Sequence, residues 1–412
     1  MKRKLLQQMR NEWRSNIWMC IELVVTGLIL WVVFSIFAFL SYLHKPSDCY
    51  DFNDVYAGDL RIIPKTASSY TEYPDSLHNE NTDVEMLLTK LRNNQYVECA
   101  GIGLNALPYT FNYSGNDFSV NVGDSVQTYH SANVRCISPE MVRVLRVRGI
   151  HGETTEEIAG MIADNKLLPA QPDYSDGSLD LELWRGRDAW WSYDSTRVAH
   201  VGAIVGPLRR TDYEPLRGMV LTGMDNTPGW WDNIAIRVRP GKGRAFSESI
   251  KPSDLQFGNV YISNLESMDN RRERAHESIT RLIGTLTMGA SFLMAAVFLG
   301  FLGSFWFRTQ QRVPELALRR ANGATRSQLF RRMLSEGIIL LISGVIVILF
   351  FIVMFLCKVN LSETFHAPIP SWIPWAGFAC SISALALMII GGIWMPASKA
   401  MKINPAEALK EE

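Results

Sequence analysis

The sequence has no Cys-x-x-Cys pair among its six cysteines and no His-Glu-x-x-His among its seven histidines. Metal-thiolate and zinc-hydrolase sites therefore lack their ligand spacing. Gly-x-Ser-x-Gly and Gly-x-x-x-x-Gly-Lys-Ser/Thr are missing too. The first absence removes the nucleophile elbow of many serine hydrolases. The second removes the backbone cradle that holds nucleotide phosphates. Net charge is also lacking, because Lys+Arg and Asp+Glu are both 41. That disfavours a nucleic-acid binder relying on bulk basicity. Tandem repeats and long low-complexity segments are absent. An enzyme tethered to a surface would need a catalytic constellation, and none is written here.

What is present is sorted by place. Residues 44–282 hold 25 Lys+Arg and 33 Asp+Glu, a net of −8; the remainder holds the other 16 and 8, a net of +8. The remainder also contains four long charge-free runs: Leu23–Leu43, Leu282–Phe307, Gly337–Cys357, and Trp372–Met395 within the stretch from Thr364 to Ser398. At 1.5 Å per residue, a run of 21 residues reaches ~31 Å, about the hydrocarbon thickness of a bilayer. Buried core helices are the rival reading, and they rarely stay charge-free for so long. Trp13, Trp18, Trp306, Trp372, Trp375 and Trp394 lie near the run ends, where indole rings favour the interface.

Flanking charge orients the spans. Lys2, Arg3, Lys4, Arg10 and Arg14 precede the first, seven arginines from Arg308 to Arg332 follow the second, and Lys399, Lys402 and Lys410 follow the fourth. The loop between the third and fourth has only Lys358. The positive-inside rule then puts both termini and the 308–332 loop in the cytoplasm and residues 44–281 outside. The first run reads as an uncleaved span rather than a signal peptide, since no small-x-small site follows it. Leu5, Met9 and Trp13 share one helical face, which suits an interfacial helix on anionic lipid or an ordinary helix start. Glu22 lies inside the first helix, placed near the headgroups or facing a neighbouring helix.

The expected architecture is an α+β membrane protein. Four transmembrane helices, one and then three, flank a large mixed α/β periplasmic domain inserted between the first two. The expected boundaries are a cytoplasmic N-terminus at 1–15, spans at 16–43, 282–308, 327–357 and 372–396, and an external domain at 44–281. A stalk helix is expected at 265–281, a cytoplasmic coupling helix and turn at 309–326, a short external loop at 358–371 and a cytoplasmic tail at 397–412.

Within the external domain, Thr82-Asp83-Val84-Glu85 and Thr154-Thr155-Glu156-Glu157 are capping boxes, the first predicting a helix from about 83 to 93. Arg197–Val205, Ile234–Arg239 and Gly258–Ser263 read as strands, and Asp173–Leu179 and Arg209–Gly218 as loops. Leu265–Arg281 carries Arg271, Arg272, Glu273, Arg274 and Glu277. It reads either as a stalk that carries motion or as a solvated helix face. Cys49, Cys99 and Cys136 are an odd external set, which argues against a disulfide framework. Trp190-Trp191 and Trp230-Trp231 are read as core pairs rather than a sticky surface. Asn112-Tyr113-Ser114 is a glycosylation sequon of a kind common by chance.

The most informative stretch is Arg308–Glu336. Pro314 can open a helix at its first position, and Glu315 suits the positive end of its dipole. Leu316, Leu318 and Ala321 supply apolar contacts, and Gly323 is a natural C-terminal stop in the left-handed conformation. Thr325-Arg326-Ser327-Gln328 is a third capping box, starting the helix into the third span. The product is a short helix, a Gly-Ala-Thr turn and a second helix. It reads as either a knob that a cytosolic partner pushes or a plain connecting loop with basic anchors.

This stretch resembles the FtsX-like, MacB-type family of ABC transporter permeases. The family has a segment like R-E-I-G-I-R-K-A-L-G-A-T-R-R-Q-I between its second and third spans. Glu315, Arg319, Ala321, Gly323, Ala324, Thr325 and Gln328 match it in register, and Glu336 matches the acid that opens the third span. Pro405, Glu407 and Leu409, in Pro405-Ala406-Glu407-Ala408-Leu409, resemble the family's terminal P-x-E-A-L-R. Asn322 and Lys410 depart from the usual Leu and Arg.

The resemblance implies a non-catalytic permease subunit in a bacterial inner membrane. Pro314, Glu315, Leu318, Arg319, Ala321, Gly323, Ala324, Thr325 and Gln328 would couple it to an ABC ATPase supplied in trans. The chain would bind no cofactor itself, while its partner would use ATP and Mg. A second permease chain, like or unlike, is implied, along with membrane lipid and no nucleic acid. An export role admits a periplasmic adaptor and an outer-membrane channel. The alternative is a non-transporting regulator that relays ATPase state to a periplasmic cell-wall enzyme or sensor. The 238 residues from His44 to Arg281 favour export.

Overall fold

The computed structural model describes residues 13–44, 50–74, 77–110, 114–170, 179–206, 208–214, 218–224, 229, 231–311, 318, 323–359 and 369–400. Two compact units emerge, one from Leu43–Ser278 and one from Met1–Tyr42 with Ile279–Glu412. In chain order the elements are α1 (Trp13–Leu43), β1 (Val55–Ile62), α2 (Glu80–Arg92), β2 (Val97–Leu104), β3 (Gly115–Val122), β4 (Ser125–Ile137), α3 (Pro139–Leu145), α4 (Thr155–Ala163) and β5 (Leu168–Ala170). There follow β6 (Asp188–Trp191), β7 (Asp194–His200), β8 (Met219–Thr222), β9 (Asn233–Val238), α5 (Gly243–Ser249), β10 (Gln256–Phe257), β11 (Val260–Ser267), α6 (Met268–Gln311), α7 (Arg326–Lys358) and α8 (Trp372–Ala400).

The Leu43–Ser278 unit is built on one sheet in the order β10-β11-β1-β9-β2-β4-β3-β6-β7. Its pairings are antiparallel except that β8 runs parallel to β4 and carries β5 on its other side. Ile234–Arg239 falls on the strand expected there, and every residue of β9 is buried. Ile234, Ile236 and Val238 enter a core with Leu87, Leu88 and Leu91 of α2. Ala235 faces the opposite core with Met141, Val142 and Leu145 of α3. Arg237 shares that second face and remains satisfied. Its guanidinium donates to the carbonyls of Val144 at 2.7 Å and Asn53 at 2.9 Å, and it pairs with Asp51 at 3.2 Å. A buried cation is tolerable only when held in this way. Gly101 of β2 supports the same layer. A Cβ there would lie 2.3 Å from the backbone nitrogen of Met141, so glycine permits the close seat of α3.

Local signals were resolved unevenly. Thr154 and Glu157 form the expected reciprocal box. The first box is three residues earlier than Thr82 suggests. Asn79 is the N-cap, Thr82 is its reciprocal partner and α2 starts at Glu80. The strand expected over Arg197–Val205 ends at His200. Beyond it Gly202 and Val205 donate to Leu167 and Pro169, so the chain leaves β6 for the β5 segment. Leu265–Ser267 belong to β11, and the helix that follows begins at Met268. Trp191 and Trp231 are buried, as expected of core residues. Cys49, Asn112 and Trp230 lie outside the described residues.

Four described helices are long and apolar enough to cross a membrane: Ile17–Leu43, Met268–Gln311, whose first residues belong to the sheet unit, Ser327–Lys358 and Trp372–Pro396. Leu23, Phe301, Ile348 and Leu385, one from each helix, are fully buried together. Small residues allow the approach. Gly27 faces Ile348 and Leu385, and Gly337 faces Ile393 and Ile389. Trp31 donates its indole N–H to the Pro374 carbonyl at 2.9 Å. Outward faces stay apolar, with Phe292, Trp18 and Leu387 largely exposed, as a hydrocarbon solvent requires. Glu22 faces a neighbouring helix: a Cβ at Gly300 of α6 would lie 2.9 Å from its carboxyl oxygen.

Candidate functional site

The turn before α7 is governed by two residues. Gly323 takes φ +89°, the left-handed region where a side chain is costly. A Cβ there would meet nothing within 4 Å, so conformation rather than space demands glycine. Two residues later Thr325 caps α7. Its hydroxyl accepts from the Gln328 N–H at 3.3 Å, and its own N–H donates to the Gln328 side-chain oxygen at 3.0 Å. Both partners are exposed, while Leu329 on the first inward turn is buried. The cap thus fixes where α7 begins, and the first buried turn ties that start to the helix bundle. Leu318 is helical and 55% exposed, and Ala324 is half-buried. Pro314, Glu315, Arg319 and Ala321, with Pro405, Glu407 and Leu409, lie outside the described residues.

A second constellation sits where α6 leaves the sheet. Its first turns are anchored through Arg271 and Arg272, while Glu273, Arg274 and Glu277 are exposed as a solvated face would be. Arg271 is 7% exposed and pairs with Asp59 of β1 at 3.3 Å and Glu266 of β11 at 3.2 Å. Arg274 also pairs with Glu266. Arg272 donates through Nε to Asp212 at 2.6 Å, and Tyr109 donates its hydroxyl to the other oxygen of Asp212 at 2.8 Å. The Asp212 carboxylate is 4% exposed, so these charge-assisted bonds act with little competing water. Burial first, and then the Asp212 bond, holds the Tyr109 phenol above its ordinary value. The phenol is therefore a donor throughout the neutral range.

Tyr109 and Asp212 come from two separate loops. Buried Arg135 of β4 holds both, donating to the Asn105 and Ala106 carbonyls at 3.3 and 3.2 Å and to the Leu208 carbonyl at 3.4 Å. Burial lowers this guanidinium to about 10, which leaves it charged near neutrality. Tyr109 is itself at φ +61°, unusual for an aromatic residue. Its N–H donates to the Arg210 carbonyl at 2.7 Å, binding the loops again. Sequence reading found the arginines of α6 but not their acceptors. Asp212 is 60 residues away in a stretch without periodicity, and no local pattern marks such a pairing.

Residues 287–405 match the family model described as FtsX-like permease C-terminal. The "Uncharacterized ABC transporter permease YknZ" of Bacillus subtilis (strain 168) is 29% identical over 195 residues, which is 44% of this chain and 45% of that protein. The match thus spans less than half the length of that relative. The crystal structure of the periplasmic region of MacB from Actinobacillus actinomycetemcomitans covers 55% of this chain and 94% of its own, at 11% identity and a TM-score of 0.32. Four membrane-length helices, the Gly323 turn and the capped start of α7 accompany that family match, and the chain carries an FtsX-like permease C-terminal domain.

Proposed function

We propose that this chain is the permease subunit of an ABC transporter complex. It receives ATPase-driven motion at the cytoplasmic turn around Pro314–Gln328 and passes it to its external unit, with export as the outcome. The carrying observation is the turn between two membrane-length helices, with Gly323 at φ +89° and Thr325 capping α7, inside the stretch that matches an FtsX-like permease. A preset turn with a fixed helix start moves as one body when pushed, and this gives a partner mechanical purchase. Pro314, Glu315, Arg319 and Ala321 would form the first helix of that contact, and the tail residues Pro405, Glu407 and Leu409 would support it.

The ATPase partner that an ABC permease implies is read as a separate chain that uses ATP and Mg. A second permease chain completes the pair. The continuous helix α6, anchored in the sheet by Arg271 and Arg272, is the proposed conveyor. Size of the external unit favours export, through an adaptor and outer-membrane channel, over relay to a cell-wall enzyme or sensor.

The proposal requires an inner-membrane orientation with both termini and the 308–332 loop in the cytoplasm, as the basic flanks favour. In a cysteine-free background, Ser195→Cys should be labelled by an impermeant thiol reagent on intact spheroplasts, and Ser327→Cys only after permeabilisation. Labelling of position 327 without 195 would invert the topology and remove the coupling role.

A further inference from the structure

We propose that His276 and Asp212 form a protonation-sensitive latch at the root of α6, closed when the imidazole is neutral and released when it is protonated. The inference deepens the reading of α6 as a conveyor by assigning a regulator to its anchored end. It concerns residues ahead of the charge-free stretch that starts at Leu282.

His276 lies one turn beyond Arg272, on the face that meets the same two loops. Its ring packs edge-on against Tyr109, with centroids 5.7 Å apart, and against Tyr213 at 5.1 Å. His44 packs against Tyr213 at a tilt of 36°, with centroids 5.0 Å apart. The side chain is 15% exposed, and Nε2 is buried with no hydrogen-bond partner among the described residues. Nε2 stops 3.6 Å from Asp212, beyond hydrogen-bond reach. Oδ2, the Asp212 oxygen nearest the ring, already takes both Nε and Nη2 of Arg272, and Oδ1 takes the Tyr109 hydroxyl. A neutral imidazole fits this aromatic box. An imidazolium would have two N–H groups to satisfy in a seat whose carboxylate is taken.

The surrounding charge decides the sign. Asp212 faces the ring from the 208–214 loop and favours protonation, while Arg272 from its own helix and His44 from the start of the unit oppose it. Asp269 on α6 acts on Tyr109, and Arg210 and Glu214 pair with each other in the loop that carries Asp212. Burial is the largest influence and holds His276 below the ordinary histidine value of 6.5. A histidine depressed in the folded state binds fewer protons there than when released. The closed latch is therefore fully favoured above 6.5, and it loses stability as pH falls from there through the folded-state value. Tyr109 at φ +61° adds a strained loop that is freed when the seat opens. The consequence is that acidification of the external compartment uncouples α6 from the sheet by loosening its first turns.

The test is hydrogen exchange of the full chain in lipid nanodiscs at about pH 8 and about pH 5, corrected for intrinsic exchange chemistry, which brackets the histidine range. Peptides over 268–278 should lose protection at the lower pH, the direction that a histidine depressed in the folded state imposes. Peptides over β9 should not change. In His276→Gln the loss over 268–278 should vanish. Equal protection of 268–278 at both pH values in the wild type overturns the latch, as does an unchanged loss in His276→Gln. Should the glutamine variant fail to assemble, His276→Asn replaces it, and the wild-type profile still decides. No ATPase enters the measurement, so its failure is distinguishable from failure of the permease reading.

Discussion

Asp212 shows how one side chain can govern an element many residues away. Its carboxylate is almost fully buried and takes bonds from Arg272 and Tyr109. Asp212→Asn preserves the volume but removes the charge that strengthens both bonds. The expected cost is about 1–3 kcal/mol, the range for a disturbed buried polar partner. It should appear as a lower unfolding midpoint of the full chain in detergent. The pair Arg244–Glu248 is the contrasting case, at 90% and 64% exposure. Water screens it, so Glu248→Gln should change stability by less than about 0.5 kcal/mol. Equal effects of the two substitutions would mean that the α6 root is not a load-carrying joint. Charge counting alone would treat these two ion pairs alike, and burial separates them.

At the scale of elements, the β2–α3 layer is limited by contact and α4 by backbone freedom. Gly101→Ala would drive a methyl into the backbone at Met141. Moving α3 to relieve it should cost about 1–3 kcal/mol, as overpacking usually does. Gly160 lies inside α4 with nothing within 4 Å of a built Cβ. Gly160→Ala should instead stabilise by about 0.4–1 kcal/mol through the unfolded chain. Chemical denaturation of the two variants checks both signs. Elements also show where local reading succeeds. The Thr154 and Thr325 boxes are isolated signals, and both caps are where sequence places them. Around α2, Asn79 and Thr82 both offer capping side chains, and the earlier one wins because Thr82 can serve as its partner. β9 was legible as a strand, but the burial of Arg237 was not, because its acceptors at Asp51, Asn53 and Val144 lie far away in sequence.

Across the whole molecule, long-range order in the sequence was the most readable feature. The four charge-free runs fall in the four membrane-length helices, and the acidic stretch between the first two forms the sheet unit. Such features need only composition and period, which bilayer thickness converts directly into structure. The seat built from Tyr109, Asp212, Arg272 and His276 needs three-dimensional closure, so no run or spacing announced it. The expected coupling residues divide differently. Gly323, Thr325 and Gln328 have the local geometry their types suggest, while Pro314, Glu315 and Arg319 lie outside the described residues. Their role rests on the motif and on the partner it implies.

That role is the central claim, and co-purification with the cognate ATPase, read together with ATP turnover, tests it most directly. Gly323→Val should still insert in the membrane. A β-branched residue at φ +89° must tilt or unwind the turn, so ATPase binding and stimulated turnover should both fall. Glu315→Lys removes a favourable helix-start charge worth only about 0.3–1 kcal/mol. A large loss in that variant must therefore come from the interface. Both variants should lose stimulation at normal membrane levels, and the purified permease alone should show no turnover. Variants that bind the ATPase and stimulate turnover like the parent would contradict the coupling role.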